Sequence, residues 1–524
     1  MSNQQLDFLD KQRSVSELVE DVNELNEQIQ ELYCRDDKPI IVGWSGGKDS
    51  TTVLQLFWNA VANLPVEKRT KTIHVISNDT LVENPIVSNW VRKYHKQMQE
   101  AAKQQQMPIQ THLTYPAVQD RFWVCLIGKG YPAPRNRFRW CTDRMKIQPT
   151  DSFIRKLIRD QGEVVLVLGT RKAESRTRER NMAKHRKWRV EDHLNANPSR
   201  PNSLIYLPIE DWQTNEVWMY LMQWENPWGG NNKDLLSMYQ GATADNECAL
   251  VVDTSTPSCG DSRFGCWVCT MVSKDKSMEA MIQNDEEKEW MQPLLEIRNE
   301  LDVENDHDRR DFRRIYGKVE LFERNTGDGE TAINPIPGPY TKHWREYWLK
   351  RVLEAQVQVR KNAPEGMEDI TLIQPDELSE IRRIWLEEKH EFDDSLPRIY
   401  QEVTGEPFYD NRLGATNQVL GSDEWSVLEE VCDEDEMHLE LMAKLLDTER
   451  QYHTKSRRVG IYESLEKCFE TSSRNKEEAI ENAHLKRDLK TAVQDQDVEK
   501  VKQLTWANIK FSGENEADNS QEDF

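Results

Sequence analysis

Ile40-Ile41-Val42-Gly43-Trp44-Ser45-Gly46-Gly47-Lys48-Asp49-Ser50 is the stretch whose reading decides the fold. The apolar run at 40–42 follows Pro39 and ends at turn residues, so it reads as a short buried strand. Gly46 and Gly47 let the backbone approach an anion closely, and their N–H groups can form a nest around it. A helical pattern follows through Val53, Leu54, Leu56, Phe57 and Val61. Its positive end, near Asp49, points at the same spot. Ser45, Lys48 and Ser50 add further donors. A Walker A loop needs Ser or Thr directly after its Lys, and Asp49 stands there instead.

Working outward, residues 72–76, 109–114, 163–169 and 204–208 read as further strands, with helical patterns at 86–106 and through Val217, Trp218, Leu221 and Met222. Short apolar strands alternating with helices predict an α/β fold, a parallel sheet with right-handed crossovers flanked by helices. On such sheets ligands bind at the carboxyl ends of the strands, which singles out the loops after Val42, Ile76 and Leu168. The expected organisation is an amphipathic helix within 1–37, with Leu18, Val22, Leu25, Ile29 and Leu32 on one face. The α/β domain follows at 38–240. A Cys-rich segment with helices fills 241–350, and Asn334 to Pro339 is a turn or linker. A helical C-terminal domain occupies 365–510, ahead of a disordered acidic tail at 511–524.

Composition narrows the function classes. The chain has 524 residues, 37% hydrophobic and 31% charged, with a formal net charge of −23. A field that acidic repels nucleic acid, so any DNA contact needs a local basic patch or a partner. Arg178, Arg180, Lys184, Arg186, Lys187 and Arg189 form one candidate patch; Arg309-Arg310 with Arg313-Arg314 form another. The bland reading of both is a solvated face. No stretch approaches the roughly 20 apolar residues of a membrane span. The start of the sequence lacks the form of a secretory signal, so a cytoplasmic protein is expected. Nine cysteines in such a chain point to thiols used as metal ligands or in chemistry.

The motifs resemble one superfamily. Ser45 to Ser50 resembles the PP-loop of ATP pyrophosphatases, which cleave ATP between the α and β phosphates. Gly169-Thr170-Arg171-Lys172-Ala173-Glu174-Ser175-Arg176-Thr177-Arg178 resembles the Gly-x-Arg-x-x-Glu-Ser-x-x-Arg signature of the phosphoadenylyl-sulfate reductase superfamily. Pro208-Ile209-Glu210-Asp211-Trp212 resembles its Pro-Ile-x-Asp-Trp segment, and Asp79 stands where relatives contact the adenosine. The resemblance implies that ATP with Mg2+ is held by Ser45, Gly46, Gly47, Lys48, Asp49, Ser50, Asp79, Gly169, Arg171, Glu174 and Arg178. Lys48, Asp49 and Arg171 would be catalytic, with Arg171 and Arg178 neutralising phosphate charge. For Asp211 and Trp212 a structural role weighs as much as a ligand contact.

Cys266 and Cys269 form a C-x-x-C pair seven residues after Cys259, and Arg139-Trp140-Cys141-Thr142 is a second distinctive string. Four thiolates suit either a [4Fe–4S] cluster or zinc, and spacing alone does not choose between them. Iron–sulfur reductases of the superfamily ligate a cluster with a corresponding Cys-rich segment, which implies a [4Fe–4S] cluster on Cys141, Cys259, Cys266 and Cys269. Cys248 is a spare ligand or a sulfur carrier. Cys34, Cys125, Cys432 and Cys468 read as buried small hydrophobes. Within the superfamily, residues 1–350 resemble the DndC family of DNA phosphorothioation systems, on the strength of both cysteine strings. That implies a sulfurtransferase which adenylylates a DNA phosphate and replaces one oxygen by sulfur. Its implied partners are a cysteine desulfurase, the SMC-like ATPase component and the small DNA-binding component of the Dnd system, and DNA through that complex. The alternatives are a tRNA thiolase, a sulfonucleotide reductase, or a sensor or scaffold that binds nucleotide and cluster without turnover. A reductase is disfavoured because Gln503 to Phe524 lacks the Glu-Cys-Gly-x-His tail.

Overall fold

The computed structural model describes residues 13–136, 138–174, 179–180, 182–183, 189–191, 193–197, 200–242, 264–314, 317–325, 331–410, 422–432, 435–453, 457–472 and 476–511. Two compact units emerge: Met1–Phe122 with Ala133–Asp302 and Ala355–Leu372, and Trp123–Pro132 with Val303–Glu354 and Ile373–Phe524.

The first unit runs α1 (Val15–Arg35), β1 (Ile40–Gly43), α2 (Lys48–Ala62), β2 (Ile73–Asn78), α3 (Pro85–Gln104), β3 (Ile109–Thr114), α4 (Gln148–Gln161) and β4 (Val164–Val167). It continues with β5 (Arg189–Glu191), β6 (Leu194–Ala196), β7 (Ser203–Tyr206), α5 (Thr214–Gln223), α6 (Asn232–Gly241), α7 (Lys276–Asn284) and α8 (Gln292–Leu301). The described strands form one sheet in the order β3-β2-β1-β4-β7-β6-β5. β3, β2, β1, β4 and β7 are parallel, with Ile40 opposite Ile73 on one side and Val165 on the other. The sheet is mixed rather than wholly parallel, because β6 runs antiparallel to β7 and β5 to β6. His193 and Asn202, both at φ 65°, supply the left-handed turns that reverse the chain there.

Buried central strands must present apolar side chains to both faces. Ile40, Val42, Ile73, Val75, Val165 and Val167 join α1, α2, α3 and α5 in one core, while Ile41, Ile76, Val164 and Leu166 pack with Ile154 of α4 on the other. Each such side chain contributes about 1.5–3 kcal/mol by leaving water. The chain therefore winds β1-α2-β2-α3-β3 on one face and reaches β4 through α4 on the opposite face. The strand order reverses between β1 and β4, and a topological switch point of this kind opens a crevice at the carboxyl ends.

α1 starts at a capping box, Ser14 Oγ accepting from the Glu17 N–H at 3.3 Å and the Glu17 carboxylate from the Ser14 N–H at 2.6 Å. Leu18, Val22, Leu25, Ile29 and Leu32 are buried on its inner face. Cys34 is exposed, against the expectation of a buried thiol, because it falls on the opposite face from that stripe; Cys125, Cys432 and Cys468 are buried.

The second unit contains the hairpin β8 (Leu321–Asn325) and β9 (Thr331–Pro335). Its helices include α10 (Pro375–Arg383), α11 (Ser395–Thr404), α12 (Ser422–Val431), α13 (Glu436–His453), α14 (Ile461–Ser472), α15 (Lys476–Gln494) and α16 (Val498–Phe511), with α9 (Lys342–Asn362) belonging to it up to Glu354. Asn334 to Pro339 is not a linker. Asn334 and Pro335 lie in β9, and the Pro337 and Gly338 carbonyls accept from Arg310 at 2.6 and 2.7 Å. The second arginine cluster is likewise not an open basic patch. Arg313 bridges Asp311 and Glu440 at 2.9 and 3.0 Å, Arg314 donates to the Pro337 carbonyl at 3.1 Å, and Arg309 lies 4.3 Å over the Trp344 ring. No described helix is long and apolar enough to cross a membrane. Of the acidic tail expected at 511–524, Phe511 ends α16 and residues 512–524 lie outside the described residues.

Candidate functional site

The loop after β1 is built as a cradle. Gly46 sits at φ +76°, and a Cβ there would lie 2.9 Å from Val91 Cγ2 and 3.2 Å from Trp90 Cδ1. Only glycine fits both the backbone angle and the space. Gly47 caps α2 in extended conformation and has no side chain to cap it. Ser50 ties the loop, its Oγ donating to the Gly47 carbonyl at 3.1 Å and accepting from the Ser45 N–H at 3.2 Å. Lys48 is buried, with Nζ 4.9 Å above the Tyr239 ring and 3.8 Å from Asp49. The Lys48 N–H donates to the Tyr239 hydroxyl at 3.3 Å. Tyr239, on α6, is a site residue the sequence does not announce, since an aromatic at a core-facing helical position reads as packing.

The loop after β4 closes the other side of the crevice. A Cβ at Gly169 would stand 2.8 Å from the Asp49 carbonyl, so β4's exit rests directly on the first turn of α2. Arg171 is 1% exposed. Its Nε donates to Asp49 Oδ1 at 2.7 Å, and its terminal nitrogens donate to the Trp212 carbonyl at 3.1 Å and Thr214 Oγ1 at 3.4 Å. The arginine marked as a phosphate ligand is thus committed to protein acceptors, holding Asp49 and the start of α5. Glu174 turns back to accept the Arg171 N–H at 3.1 Å. Trp212 is buried and its indole N–H donates to Asp21 at 2.7 Å, the structural half of its expected roles. Asp211 pairs with Lys172. Arg178 and most of the first basic patch lie outside the described residues; Arg180 is exposed and Arg189 lies in β5.

The loop after β2 completes the rim. Asp79 is buried, bonded by Arg92 at 2.9 Å and by the Leu81 N–H at 2.9 Å. Beneath it, Ser77 Oγ donates to the Trp44 carbonyl at 2.6 Å and meets His95 Nε2 at 2.7 Å. Burial, with His112 adding to it, pushes the His95 ring down to about 4, so it is neutral and fixes the strand just before the cradle.

Comparison with known families fits this geometry. Residues 39–228 match the phosphoadenosine phosphosulfate reductase domain. The chain is also 28% identical over 203 residues to an uncharacterized protein of Methanocaldococcus jannaschii, covering 38% of this chain and 35% of that one. It therefore spans about a third of that relative's length. Among solved structures, phosphoadenylyl-sulfate reductase from Candida auris is 13% identical, covering 41% of this chain and 88% of its own, with a TM-score of 0.25. Candida glabrata FMN adenylyltransferase with FMN and an ATP analogue is 11% identical over 41% and 60% of the two chains, with a TM-score of 0.24. Ser45 to Ser50, Asp79 and Gly169 to Glu174 all lie inside the matched reductase domain.

Two cysteine segments, one inside that domain and one after it, meet at the carboxyl end of β2. Cys266 pairs by backbone with Glu83, the Trp267 N–H donates to the Val82 carbonyl at 2.9 Å, and Thr80 Oγ1 lies 3.3 Å from Cys266 Sγ. Buried Arg298 donates to the Cys269 carbonyl at 3.1 Å and fixes the far side of this loop. The Cys141 segment arrives from the other direction, Asn78 donating to the Met145 carbonyl at 2.7 Å. Lys146 reaches to 3.9 Å from Glu83, and the charges of Cys266, Glu83, Cys269 and Cys141 all act on it, raising its pKa. Burial, then Glu83, pushes the Cys266 thiol up to about 12. Cys269 acts electrostatically on both Cys141 and Cys266, while Cys259 and Cys248 lie outside the described residues. Among the described residues no group of three or more His, Cys, Asp or Glu side chains is placed to hold a metal ion.

Proposed function

We propose that the chain is an ATP pyrophosphatase-type sulfurtransferase acting in DNA phosphorothioation. The observation that carries the nucleotide part is the Gly46-Gly47 cradle at the switch point between β1 and β4, with Lys48 and the α2 N-terminus facing it. Backbone donors and a helix end suit a pyrophosphate leaving group, whose negative charge grows as the α–β bridge breaks. Lys48 neutralises that charge, and Arg171 keeps Asp49 and the helix end fixed while it develops. Mg2+ would travel with the triphosphate, which supplies most of its oxygen ligands. A DNA phosphate oxygen attacks the α-phosphorus and pyrophosphate leaves. The terminal sulfur of a persulfide then bonds to the DNA phosphorus as AMP departs with the oxygen, and a second thiol takes the carrier sulfur as a disulfide.

The DNA substrate, the desulfurase and Dnd partners, and a [4Fe–4S] cluster on Cys141, Cys259, Cys266 and Cys269 belong to this reading. They are supported by the cysteine strings and by the arrival of the Cys141 and Cys266 segments at the carboxyl end of β2. Such a cluster would place a redox-capable group beside the nucleotide crevice. The test is product analysis: ATP should give AMP and pyrophosphate, and host DNA should contain phosphorothioate dinucleotides only when the protein is present. ADP and orthophosphate would refute the nucleotide part. The reductase-domain match carries a second reading, a sulfonucleotide reductase, which release of sulfite from phosphoadenylyl sulfate would establish instead.

A further inference from the structure

We infer that Asp21, on α1 and outside the matched reductase domain, is a positioning residue of the nucleotide crevice. Segment 212–216 is gripped from two sides, by Asp21 of α1 and by Arg13 just before its cap. Asp21 Oδ2 accepts the Trp212 indole N–H at 2.7 Å and the Arg13 guanidinium at 2.6 Å, and Arg13 Nε lies 3.3 Å from the buried Glu216 carboxylate. Glu216 also accepts the Gln213 N–H at 2.6 Å, fixing the start of α5. The same segment turns its Trp212 carbonyl and Thr214 hydroxyl to the terminal nitrogens of Arg171, whose Nε holds Asp49. Asp49 in turn stands 3.8 Å from the Lys48 ammonium.

Charge alternates along this line: Asp21 negative, Arg171 positive, Asp49 negative, Lys48 positive. Arg171 is 1% exposed, so it has no water to fall back on and its position follows its acceptors. Letting segment 212–216 drift withdraws two acceptors from Arg171. The guanidinium then follows them or gives up Asp49, and either outcome displaces the first turn of α2. Asp21 acts through Trp212 and Arg171 and touches no ligand. The helix that bears it precedes residue 39, where the matched domain begins.

This inference rests on the nucleotide reading above, and its test separates the two. Full-length wild type, Asp21→Leu, Asp21→Asn and Trp212→Phe are titrated calorimetrically with α,β-methylene-ATP, alongside urea unfolding. Trp212→Phe removes the indole hydrogen bond and Asp21→Leu removes it together with the Arg13 contact; in both, affinity should fall by at least about tenfold, the equivalent of one charge-assisted bond. Asp21→Asn keeps an acceptor for the indole and should restore affinity to within about threefold of wild type. A merely structural Asp21 would lower the urea midpoint and leave affinity unchanged, which overturns the inference. Should Asp21→Leu not fold, Trp212→Phe, which keeps an aromatic ring, carries the comparison. A crystal structure of the ligand-free variant gives the second arm: Arg171 and the first turn of α2 should be displaced, and an unmoved Arg171 overturns the inference. Wild type that binds no nucleotide refutes the reading of the crevice, whereas the crystallographic arm still decides the role of Asp21.

Discussion

Gly169→Ala is the sharpest perturbation the fold offers. Gly169 does not have a left-handed backbone angle, so the substitution tests close approach alone. The added Cβ would stand 2.8 Å from both the carbonyl carbon and oxygen of Asp49 and 3.0 Å from the Ser50 nitrogen. Optimal carbon contact begins near about 3.5 Å, so two backbone segments must part by roughly 0.7 Å. Neither neighbour is a flexible side chain; one is the exit of β4 and the other the first turn of α2. Overpacking of this kind costs about 1–3 kcal/mol. A displacement of about 1 Å at a reacting site costs about a hundredfold, so a tenfold or greater loss of pyrophosphate release is expected. A coupled pyrophosphate assay and urea unfolding measure both. Gly162→Ala is the control. Gly162 has φ +88° with nothing within 4 Å of a Cβ, so it should lose about 1–2 kcal/mol to backbone strain and keep wild-type kinetics. Gly169→Ala with unchanged kinetics would refute the argument that β4's exit rests on the phosphate loop.

Three more outcomes are expected. Asp49→Ala strands the buried Arg171 guanidinium and should cost about 3–5 kcal/mol in urea unfolding, whereas Asp49→Ala/Arg171→Met recovers much of that stability; Lys48→Ala should abolish pyrophosphate release with the fold intact. Anaerobically prepared protein should be brown with near-equal iron and sulfide. Cys→Ser at Cys141, Cys259, Cys266 or Cys269 should bleach it, unlike changes at Cys34, Cys125, Cys432 or Cys468; colourless protein with stoichiometric zinc would replace the cluster by a zinc site. Burial lowers His74 and His95 from 6.5 to about 4, His112 adding to it, so the unfolded chain binds these protons first. Their stabilisation is intact above pH 6.5 and declines as pH falls toward 4, by about 3 kcal/mol for each ring, and His95→Gln should flatten the dependence of the urea midpoint on pH.

Much of the crevice between β1 and β4 was legible because its signals are local. Residues 40–42 and 164–167 are uninterrupted apolar runs, as strands buried on both faces must be, and Gly46 declares a backbone angle by itself. α1 was readable from the spacing of Leu18 to Leu32, whereas the Ser14–Glu17 capping box that sets its start came from the structure. β5 and β6 were not, because a short polar edge strand is specified by its partner's hydrogen bonds and by turns at His193 and Asn202. Asn334 to Pro339 misled for a related reason: a Pro/Gly run reads as a linker until the arginines that claim its carbonyls are known.

The sequence by itself determined the five parallel strands, the glycine loop that follows the first of them, and which cysteines stand in motifs. Tertiary structure alone decided how charges pair. Arg171 meets Asp49 across 122 residues and Trp212 meets Asp21 across 191, and Arg313 meets Glu440 across 127. An arginine's neighbours in sequence say only that it is charged. Whether it faces a ligand or a carboxylate depends on which elements the sheet order brings together, and burial then leaves it no alternative to those partners.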